Sequence, residues 1–416
     1  MVTAALARYY ANQQKRVRVF KVGPDFLDPM LLHKASGYPV ENLDLWMMGE
    51  HACQAALYEA ACSADLILIE GVMGLFDGDP STADLAQRFG IPIVAVIDAS
   101  GTAQTLAAVG HGLSTYRKNI SVSGIIANNV ASPRHEEMIR SNWQAAVPLV
   151  ACLTRQACMR LPERHLGLIQ ASEVNDLDDR LNASARLIEN SMPNSVAKSV
   201  RFERTINADL PKLLNGVRIA VARDEAFSFI YEDNLRVLKE LGATLSFFSP
   251  LHSTALPPAD SIYLPGGYPE LHAEILSENT AIVESIRNHA NRGLKVYAEC
   301  GGMMYLMESI TALDQRTTNG AGILPGQVTM EKRLQSLGYQ FADLPRGRVH
   351  GHTFHYSKSV TTLRPGLYAQ KKADGLSGEA IYTHGSIKAS YLHLHFRSNP
   401  DAVAAIFRDT ATIACS

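Results

Sequence analysis

The chain has 416 residues, of which 46% are hydrophobic and 19% are charged. This length exceeds one ordinary domain, and the composition allows large apolar cores, which is typical of a globular enzyme with two or three domains. The net charge is −2, which argues against nucleic-acid binding, and no apolar run reaches the roughly 20 residues of a membrane helix.

The cysteines and the N-terminal residues indicate the compartment. The N-terminus lacks the charged-then-apolar pattern of a secretory signal. Six cysteines are scattered along the chain with neither metal-site nor disulfide-framework spacing: Cys53, Cys62, Cys152, Cys158, Cys300 and Cys415. A reducing, cytoplasmic location is therefore expected.

The first half alternates short β-branched runs with helical patterns. Strands are predicted at 17–20, 65–69, 93–97 and 122–127, and helices at 49–61, 82–89 and 105–113. Because both faces of the strands are apolar, they are predicted to be buried and parallel. Such alternation predicts a doubly wound α/β sheet over residues 1–190.

Acidic residues follow three of these predicted strands. Asp25 and Asp28 follow the first strand, Glu70 and Asp77 lie in a Gly-rich loop after the second, and Asp98 ends the third. Ligands bind at the carboxyl edge of a parallel sheet, and carboxylates there can hold Mg²⁺ with a nucleoside triphosphate. One such residue alone would be interpreted as a turn or helix N-cap residue, whereas three strand ends together favour a site.

A polar, irregular stretch, 191–215, is interpreted as a linker between two domains. A second α/β series occupies 216–416, with strands predicted at 216–222, 244–248, 261–264 and 294–298 and a helix at 231–241. The chain is therefore predicted to contain two doubly wound domains.

Cys300 lies in the most informative stretch of this second series. An apolar strand runs into the cysteine, two glycines follow, and a helical pattern begins. Such a turn is predicted to hold the thiol at a sharp, exposed bend, where the helix N-terminus lowers its pKa. The alternative is a buried structural cysteine; the paired glycines and the downstream histidines favour a nucleophile.

Two glycines after another strand supply backbone donors. Gly266 and Gly267 follow the predicted strand 261–264, and their N–H groups, with that of Gly301, could form an oxyanion hole. The alternative is an ordinary turn.

Histidines further along the chain are candidate bases. His393 and His395 alternate on a predicted strand and therefore share a face, so either could deprotonate Cys300. A lone strand histidine is usually only a satisfied polar residue. A His-rich segment, 351–357, has the character of an active-site loop.

These C-terminal segments resemble the class I glutamine amidotransferase domain of the cobyrinic acid a,c-diamide synthase and cobyric acid synthase group. In that group the cysteine lies in a Cys-Gly-Gly elbow and the catalytic histidine in a (Ser/Thr)-Tyr-Leu-His motif. The resemblance therefore selects His393 over His395. One departure is Thr353, which stands where the group usually has glutamate.

The N-terminal half resembles the same family in several segments: 21–29, 42–47, 69–78 and 161–168. The resemblance runs from residue 2 to about 410. It implies a P-loop-NTPase-like, dethiobiotin-synthetase-like domain before the amidotransferase domain. It also places Pro162, Glu163 and Arg164 near the nucleotide base. It further implies that four acidic residues bind Mg²⁺ or the reacting carboxylates, with Asp98 near the metal or the phosphates: Asp25, Asp28, Glu70 and Asp77.

The resemblance implies ATP- and glutamine-dependent amidation of the a- and c-acetate groups of cobyrinate or hydrogenobyrinate, through acyl phosphates, in cobalamin biosynthesis. Cys300 would release the ammonia from glutamine. The expected partners are small molecules only (corrinoid, L-glutamine and ATP), without nucleic acid or membrane, and a homodimer is left open. Nickel sirohydrochlorin is an alternative acceptor, and a ParA/MinD-like binding protein is an alternative class that the Cys-Gly-Gly elbow opposes.

The phosphate loop of the family, Gly-x-x-x-x-Gly-Lys-(Ser/Thr), does not occur in this sequence. Residues 1–10 have the pattern of the helix that would follow it. Either the sequence begins at an internal methionine, or the protein is a repurposed relative that retains only glutaminase or binding function. For the sequence as it stands, weak ATP binding and an exposed gap in the first sheet are expected.

Overall fold

The structure, a computed structural model, describes residues 1–141, 143–164, 167–192 and 197–408, without the side chains of 163, 164, 167 and 168. The chain divides into two compact units, Met1–Asn207 (unit 1) and Ala208–Ser416 (unit 2). In the described part of the predicted linker 191–215, no helix or strand follows Ser191. The boundary between the units falls inside this stretch.

Unit 1 alternates strands with helices, as the hydrophobic pattern predicts. The strands are β1 (Val17–Val22), β2 (Glu41–Leu43), β3 (Leu66–Glu70), β4 (Ile93–Asp98), β5 (Val122–Val130), β6 (Leu149–Thr154), β7 (Glu163–Arg164) and β8 (Gly167–Leu168). The helices are α1 (Val2–Asn12), α2 (Leu27–Ser36), α3 (Glu50–Ser63), α4 (Thr82–Phe89), α5 (Thr105–Thr115), α6 (Pro133–Ser141) and α7 (Leu177–Ser191).

The larger sheets of unit 1 are parallel. One has the order β2-β1-β3 and the other β4-β5-β6, while β7 and β8 form a hairpin. Helix α1 packs on both parallel sheets, since Ala4 and Ala7 join the core of β1, and Val2 and Ala5 join that of β5 and β6. The helix thus connects two hydrophobic cores.

The prediction that all four strands are buried is wrong for β3 and β4. Every residue of β3 is partly exposed, and Val96 of β4 is 47% exposed. Each strand pairs with one neighbour only within the described residues, so one edge of each is left uncovered. The apolar runs indicated strands correctly, but they do not show how many neighbours a strand has.

Local sequence signals define helix α4. The Ser81 side chain accepts a hydrogen bond from the Asp84 N–H, and the Asp84 carboxylate accepts one from the Ser81 N–H, which forms a capping box. Gly90, with φ of 63°, ends the helix in the left-handed conformation that glycine adopts without steric cost. The predicted bounds of this helix are confirmed.

Unit 2 contains a longer series of strands. They are β9 (Arg218–Ala222), β10 (Thr244–Phe248), β11 (Ser261–Leu264), β12 (Lys295–Glu299), β13 (Ser309–Thr311), β14 (Thr317–Asn319), β15 (Gln327–Met330), β16 (Ser336–Leu344), β17 (Gly347–His355), β18 (Ser357–Val360), β19 (Pro365–Lys371), β20 (Ser377–His384), β21 (Ile387–Ser390) and β22 (His393–Leu394). The helices are α8 (Glu232–Glu240), α9 (Ala273–Glu278), α10 (Thr280–Asn291), α11 (Gly301–Leu306) and α12 (Pro400–Phe407).

A ten-stranded mixed sheet forms the centre of unit 2. Its order is β10-β9-β11-β12-β21-β20-β19-β16-β17-β22, and a smaller sheet has the order β14-β13-β15-β18. The first five strands of the large sheet run parallel, whereas the pairs from β21 to β22 are antiparallel. The carboxyl ends of β11, β12 and β21 therefore meet at one edge.

The core of unit 2 includes the fully buried Tyr263, Phe396 and Phe407, whose rings are in mutual contact. Aromatic clusters of this kind bury a large apolar area and hold neighbouring strands in fixed positions. Across the part of the chain that the structure describes, no helix combines the length and apolarity needed to cross a bilayer.

Candidate active site

Cys300 forms the turn between β12 and α11. Its backbone has φ of 42° and ψ of −106°, which L residues rarely adopt, so the predicted sharp bend is confirmed. The following glycines allow α11 to approach the loop after β11. A Cβ on Gly302 would lie 2.2 Å from the Leu264 carbonyl oxygen, and one on Gly301 would lie 2.9 Å from the Gly267 nitrogen.

The expectation of an exposed thiol with a lowered pKa is wrong. Cys300 is only 5% exposed, and burial raises its pKa, with Glu270 and other carboxylates adding to the effect. The Gly301 N–H opposes this by donating toward the sulfur. Desolvation is the largest cause and outweighs the hydrogen bond from Gly301 at the start of α11.

The three glycines predicted for an oxyanion hole lie together. Gly267 has φ of 154°, and a Cβ there would lie 2.0 Å from the Ala226 carbonyl oxygen, so only glycine fits. Gly266 accepts a hydrogen bond from the Phe229 N–H at 3.1 Å. The Gly267 nitrogen is also a neighbour of Gly301, which places two backbone N–H groups next to Cys300.

His393 lies at the same edge of the sheet. It begins β22, pairs with His352 of β17 and stacks on that ring at 5.1 Å between centroids. A Cβ on Gly266 would lie 2.3 Å from His393 Cε1, so the imidazole fits only against a glycine. Burial lowers the pKa of His393 to about 3, so the ring is neutral at pH 7 and one of its nitrogens carries no proton.

His395 does not share the position of His393. The strand ends at Leu394, and the His395 ring packs against the Tyr231 ring at 5.1 Å instead. His395 therefore lies beyond the end of β22, and the strand alternation that made the two histidines equivalent candidates does not extend to it.

Glu299 is a buried carboxylate that the sequence analysis missed. One of its oxygens lies 3.9 Å from His393 Nδ1. The carboxylate accepts hydrogen bonds from the hydroxyls of Tyr263 and Tyr297, both at 2.7 Å, and from the Leu394 N–H at 2.9 Å. Burial raises its pKa to about 7. Its position directly before Cys300 was the signal that could have identified it.

A carboxylate also lies beside Thr353, where the sequence lacks the usual glutamate. The Thr353 hydroxyl donates to Glu379 at 3.0 Å, and His355 Nε2 contacts the same oxygen at 3.2 Å. The His355 ring stacks on Tyr391 at 3.8 Å. Glu379 of β20 thus places a carboxylate next to Thr353 of β17, the position at which the family usually has a glutamate.

In unit 1, three of the predicted acidic residues converge on one cation. Lys21 is buried on β1, and its Nζ lies 2.5 Å from Asp28, 3.3 Å from Glu70 and 3.7 Å from Asp25. The parallel register aligns Lys21 with Glu70. From the sequence, Lys21 was only a remote candidate to supply positive charge in place of the phosphate loop, and its ion pairs with the three carboxylates were not predicted.

The charged groups of this cluster change one another's pKa values. Burial lowers the pKa of Lys21, but the three carboxylates outweigh it and the net pKa is raised. Burial and the charge of Asp28 raise the pKa of Asp25 to about 6. For Asp28, burial acts upward, but the bond to Lys21 prevails and the pKa is lowered. One carboxyl group of the cluster therefore titrates close to neutral pH.

The loop that carries Asp25 is fixed by neighbouring polar groups. The Asn42 amide donates to the carbonyls of Gly23 at 2.8 Å and Asp25 at 2.9 Å. Asp25 Oδ1 accepts from the N–H groups of Leu27 and Asp28, so it also serves the start of α2. The helix-capping role and the site role thus fall on the same residue.

Asp77 and Asp98 do not join the cluster. Asp77 accepts from the Gly74 N–H in a local turn, and Asp98 accepts from Ser100 and Asn129. Within the described ranges neither makes an ion pair with Lys21. The alternation of strands and helices predicts that these aspartates lie at the carboxyl ends of strands. The conformation of each loop determines which other side chains they contact.

The segment predicted near a nucleotide base is only partly described. Pro162 is exposed, and Glu163 and Arg164 form strand β7, but their side chains lie outside the described residues, as do His165 and Leu166. Leu161, just before them, lines a small cavity together with Asp28 of α2. The start of this segment therefore lies near the acidic cluster.

Two family models match the chain. The CobQ/CobB/MinD/ParA nucleotide binding domain matches residues 1–169, and the CobB/CobQ-like glutamine amidotransferase domain matches residues 218–401. The first contains the Lys21 cluster and the second contains Cys300 and His393. Unit 1 thus has a P-loop-NTPase-like fold and unit 2 an amidotransferase fold, as the sequence predicts.

Whole-length relatives decide the family. A protein of Stutzerimonas stutzeri named hydrogenobyrinate a,c-diamide synthase is 50% identical over 98% of this chain and 95% of its own length. The chain belongs to the a,c-diamide synthase family. A second member with the same name, from Pseudomonas aeruginosa, is 48% identical over 97% of the chain and 93% of its own length. A protein of Herminiimonas arsenicoxydans named cobyrinate a,c-diamide synthase is 45% identical over 98% of this chain and 93% of its own length.

Membership in the a,c-diamide synthase family makes the protein a ligase of the glutamine amidotransferase type. The carboxylates of unit 1 are the hard oxygen donors that Mg²⁺ prefers. Within the described residues no group of three or more His, Cys, Asp or Glu side chains is arranged to hold a metal ion, and Lys21 contacts the three carboxylates of unit 1.

Proposed function

We propose that this enzyme uses ATP and glutamine to convert the a- and c-acetate side chains of hydrogenobyrinate or cobyrinate to amides. The observation that carries the proposal is the position of Cys300 on a strained turn, at the sheet edge that also holds Gly267 and His393. The relatives of 50% and 48% identity are named for hydrogenobyrinate, which favours the metal-free ring.

The amidotransferase reaction begins with a neutral thiol and a neutral imidazole. His393 takes the proton of Cys300 as the sulfur attacks the side-chain amide carbon of glutamine. The negative oxygen that develops is stabilised by the N–H groups of Gly267 and Gly301. His393 returns the proton to the departing ammonia, and water then hydrolyses the glutamyl thioester.

The synthetase reaction belongs to unit 1. A carboxylate is a poor electrophile, so the terminal phosphoryl group of ATP is first transferred to the acetate oxygen, and ammonia then displaces phosphate. Asp25 and Glu70 would hold Mg²⁺, which when bound neutralises phosphate charge. Lys21 keeps these carboxylates at fixed positions and adds a positive charge near the transferred group. The five described free cysteines are consistent with a cytoplasmic enzyme.

The test separates the two reactions in the full-length protein. The enzyme is incubated with ATP, Mg²⁺, hydrogenobyrinate or cobyrinate, and either glutamine or ammonium chloride, and the product is followed by mass spectrometry. Cys300→Ala should lose amide formation with glutamine and keep it with ammonium chloride. Asp25→Asn and Glu70→Gln should lose amide formation from both nitrogen sources and keep glutamine hydrolysis.

Cys62→Ser serves as the control, because Cys62 is an exposed thiol in unit 1. If Cys300→Ala still uses glutamine, or if the unit 1 variants lose both activities while folded, the assignment of the two reactions is wrong. Nickel sirohydrochlorin is tested in parallel, and amidation of it alone would replace the proposed acceptor.

A further inference from the structure

The buried carboxylate of Glu299 is not used in the reaction described above. It is 2% exposed and lies at the end of β12, immediately before Cys300. Three donors from three strands hold it: the hydroxyls of Tyr263 on β11 and Tyr297 on β12, and the N–H of Leu394 on β22. Such a set of contacts fixes the carboxylate in one orientation.

That orientation brings the carboxylate to the base. Glu299 Oε2 lies 3.9 Å from His393 Nδ1, somewhat longer than a hydrogen bond. Contacts of this kind are often long in a resting enzyme and tighten when the imidazole becomes charged. The Leu394 N–H bonds to Glu299 as well, so the backbone next to His393 is tied to the same group.

We propose that Glu299 is the positioning residue of His393: its carboxylate faces Nδ1, keeps the proton of the neutral ring on that atom, and stabilises the imidazolium. The Nε2 atom is then the one left to accept the Cys300 proton. This inference rests on the proposed glutaminase reaction. It assigns to a residue before the nucleophile the orienting role that a third carboxylate has in Ser-His-Asp enzymes.

Other ionisable groups near the pair have to be accounted for in a pH experiment. Tyr263 and Tyr297 face Glu299, and both have pKa values raised by burial, so they stay protonated at neutral pH. His393 faces His352 on β17, whose pKa burial lowers, and it senses His355 and the deprotonated Glu379. Because burial raises the pKa of Glu299 to about 7, Glu299 is the group expected to titrate near neutrality.

The experiment replaces the carboxylate by an amide of the same shape. Glu299→Gln should lower kcat for glutamine hydrolysis about 100-fold or more, with KM changed less than about threefold. Amide formation with ammonium chloride should remain. Wild-type hydrolysis should rise between about pH 6 and 8 as Glu299 loses its proton, and Glu299→Gln should lack this rise.

The matched control is Asp233→Asn, which makes the same change at another buried carboxylate of unit 2. Asp233 bonds to Arg397 and Arg236, not to His393, so this variant should lose stability but keep kcat within about threefold. If Glu299→Gln keeps kcat within about threefold, or if Asp233→Asn loses as much as Glu299→Gln, the proposal is wrong.

A second measurement needs no variant at position 299. In ¹⁵N-histidine NMR spectra of the wild-type enzyme, with the signals of His393 assigned from His393→Gln, the ring should carry its proton on Nδ1. A proton on Nε2 would overturn the proposal even if Glu299→Gln fails to fold. A wild-type enzyme that hydrolyses no glutamine would refute the proposed function instead, while the position of the proton would still decide the role of Glu299.

Discussion

The two units of the chain keep their reactive groups buried in different ways. In unit 2, burial holds Cys300 and His393 in their neutral forms, and Glu299 is surrounded by uncharged donors. In unit 1, burial is balanced by opposite charge, because Lys21 lies among Asp25, Asp28 and Glu70. The first arrangement suits proton transfer, which needs groups that can change charge. The second suits the handling of phosphate and cations, which needs several charged groups held close together.

Because of this difference, we expect the two sites to be sensitive to different kinds of substitution. The site of unit 2 should be sensitive to small displacements, because its glycines leave no room for a side chain beside His393 or between the two glycine-containing turns. The site of unit 1 should be sensitive to any change of charge, because no other cation contacts the three carboxylates in the described part of the chain.

The largest effect is expected from a single methyl group in unit 2. A Cβ at position 266 would lie 2.3 Å from His393 Cε1, so the ring has to move by about 1 Å or more. Gly266→Ala should therefore reduce kcat for glutamine hydrolysis about 100-fold. Amide formation from ammonium chloride should persist, since unit 1 is unchanged.

Gly366→Ala is the control for this variant, because a Cβ there meets its neighbours at 3.6 Å or more, which is ordinary contact. A Gly266→Ala enzyme that retains most of its glutaminase activity would show that the imidazole does not depend on the space above Gly266.

An effect on stability, with no effect on glutamine turnover, is expected when the cation of unit 1 is removed. Lys21→Met leaves three carboxylates without their shared partner and should lower the free energy of unfolding by about 3 kcal/mol. Both tryptophans, Trp46 and Trp143, lie in unit 1, so their fluorescence during urea unfolding follows this unit alone. Glutamine hydrolysis should not change.

Lys34→Met is the matched control, because Lys34 pairs with Asp178 on the surface and its loss should change the free energy of unfolding by less than about 0.5 kcal/mol. Equal unfolding midpoints for both lysine variants would contradict the view that unit 1 depends on charge balance.

The smallest of the three effects has the opposite sign. The folded-state pKa of Asp25 is about 6, above the unfolded value of 3.8. The folded protein therefore binds more protons between these values, and Asp25 lowers stability as pH rises through this range. Asp25→Asn removes the buried charge and should raise the free energy of unfolding at pH 7 by about 1 to 3 kcal/mol. The gain should vanish toward pH 4, as measured by tryptophan fluorescence at each pH. An unchanged difference across this range would show that Asp25 is not the titrating group.

The regular elements were predictable where turns mark their ends. The bounds of α4, β10 and β11 agree with the predictions, since a capping box, glycines or prolines flank them. The antiparallel strands from β13 to β22 were largely missed, because they alternate polar and apolar residues and leave many side chains exposed.

The candidate sites were predictable as sets of strand ends but not as contacts. Cys300 was found from the strand-Cys-Gly-Gly-helix pattern, and His393 was selected over His395 by the family motif in which it lies. Glu299 and Glu379 were not, since each acts across strands that are far apart in the sequence. Likewise, the burial of the Cys300 thiol could not be predicted, because it depends on several helices and strands that are distant from Cys300 in the sequence.

The backbone of Cys300 has a consequence for variation at this position. A side chain held at φ of 42° and ψ of −106° costs about 1 to 3 kcal/mol, and glycine would relieve much of that strain. Selection for heat resistance alone should therefore enrich Cys300→Gly, which would be more stable but would lack the proposed nucleophile. Persistence of cysteine here would mean that turnover, and not robustness, is what selection maintains.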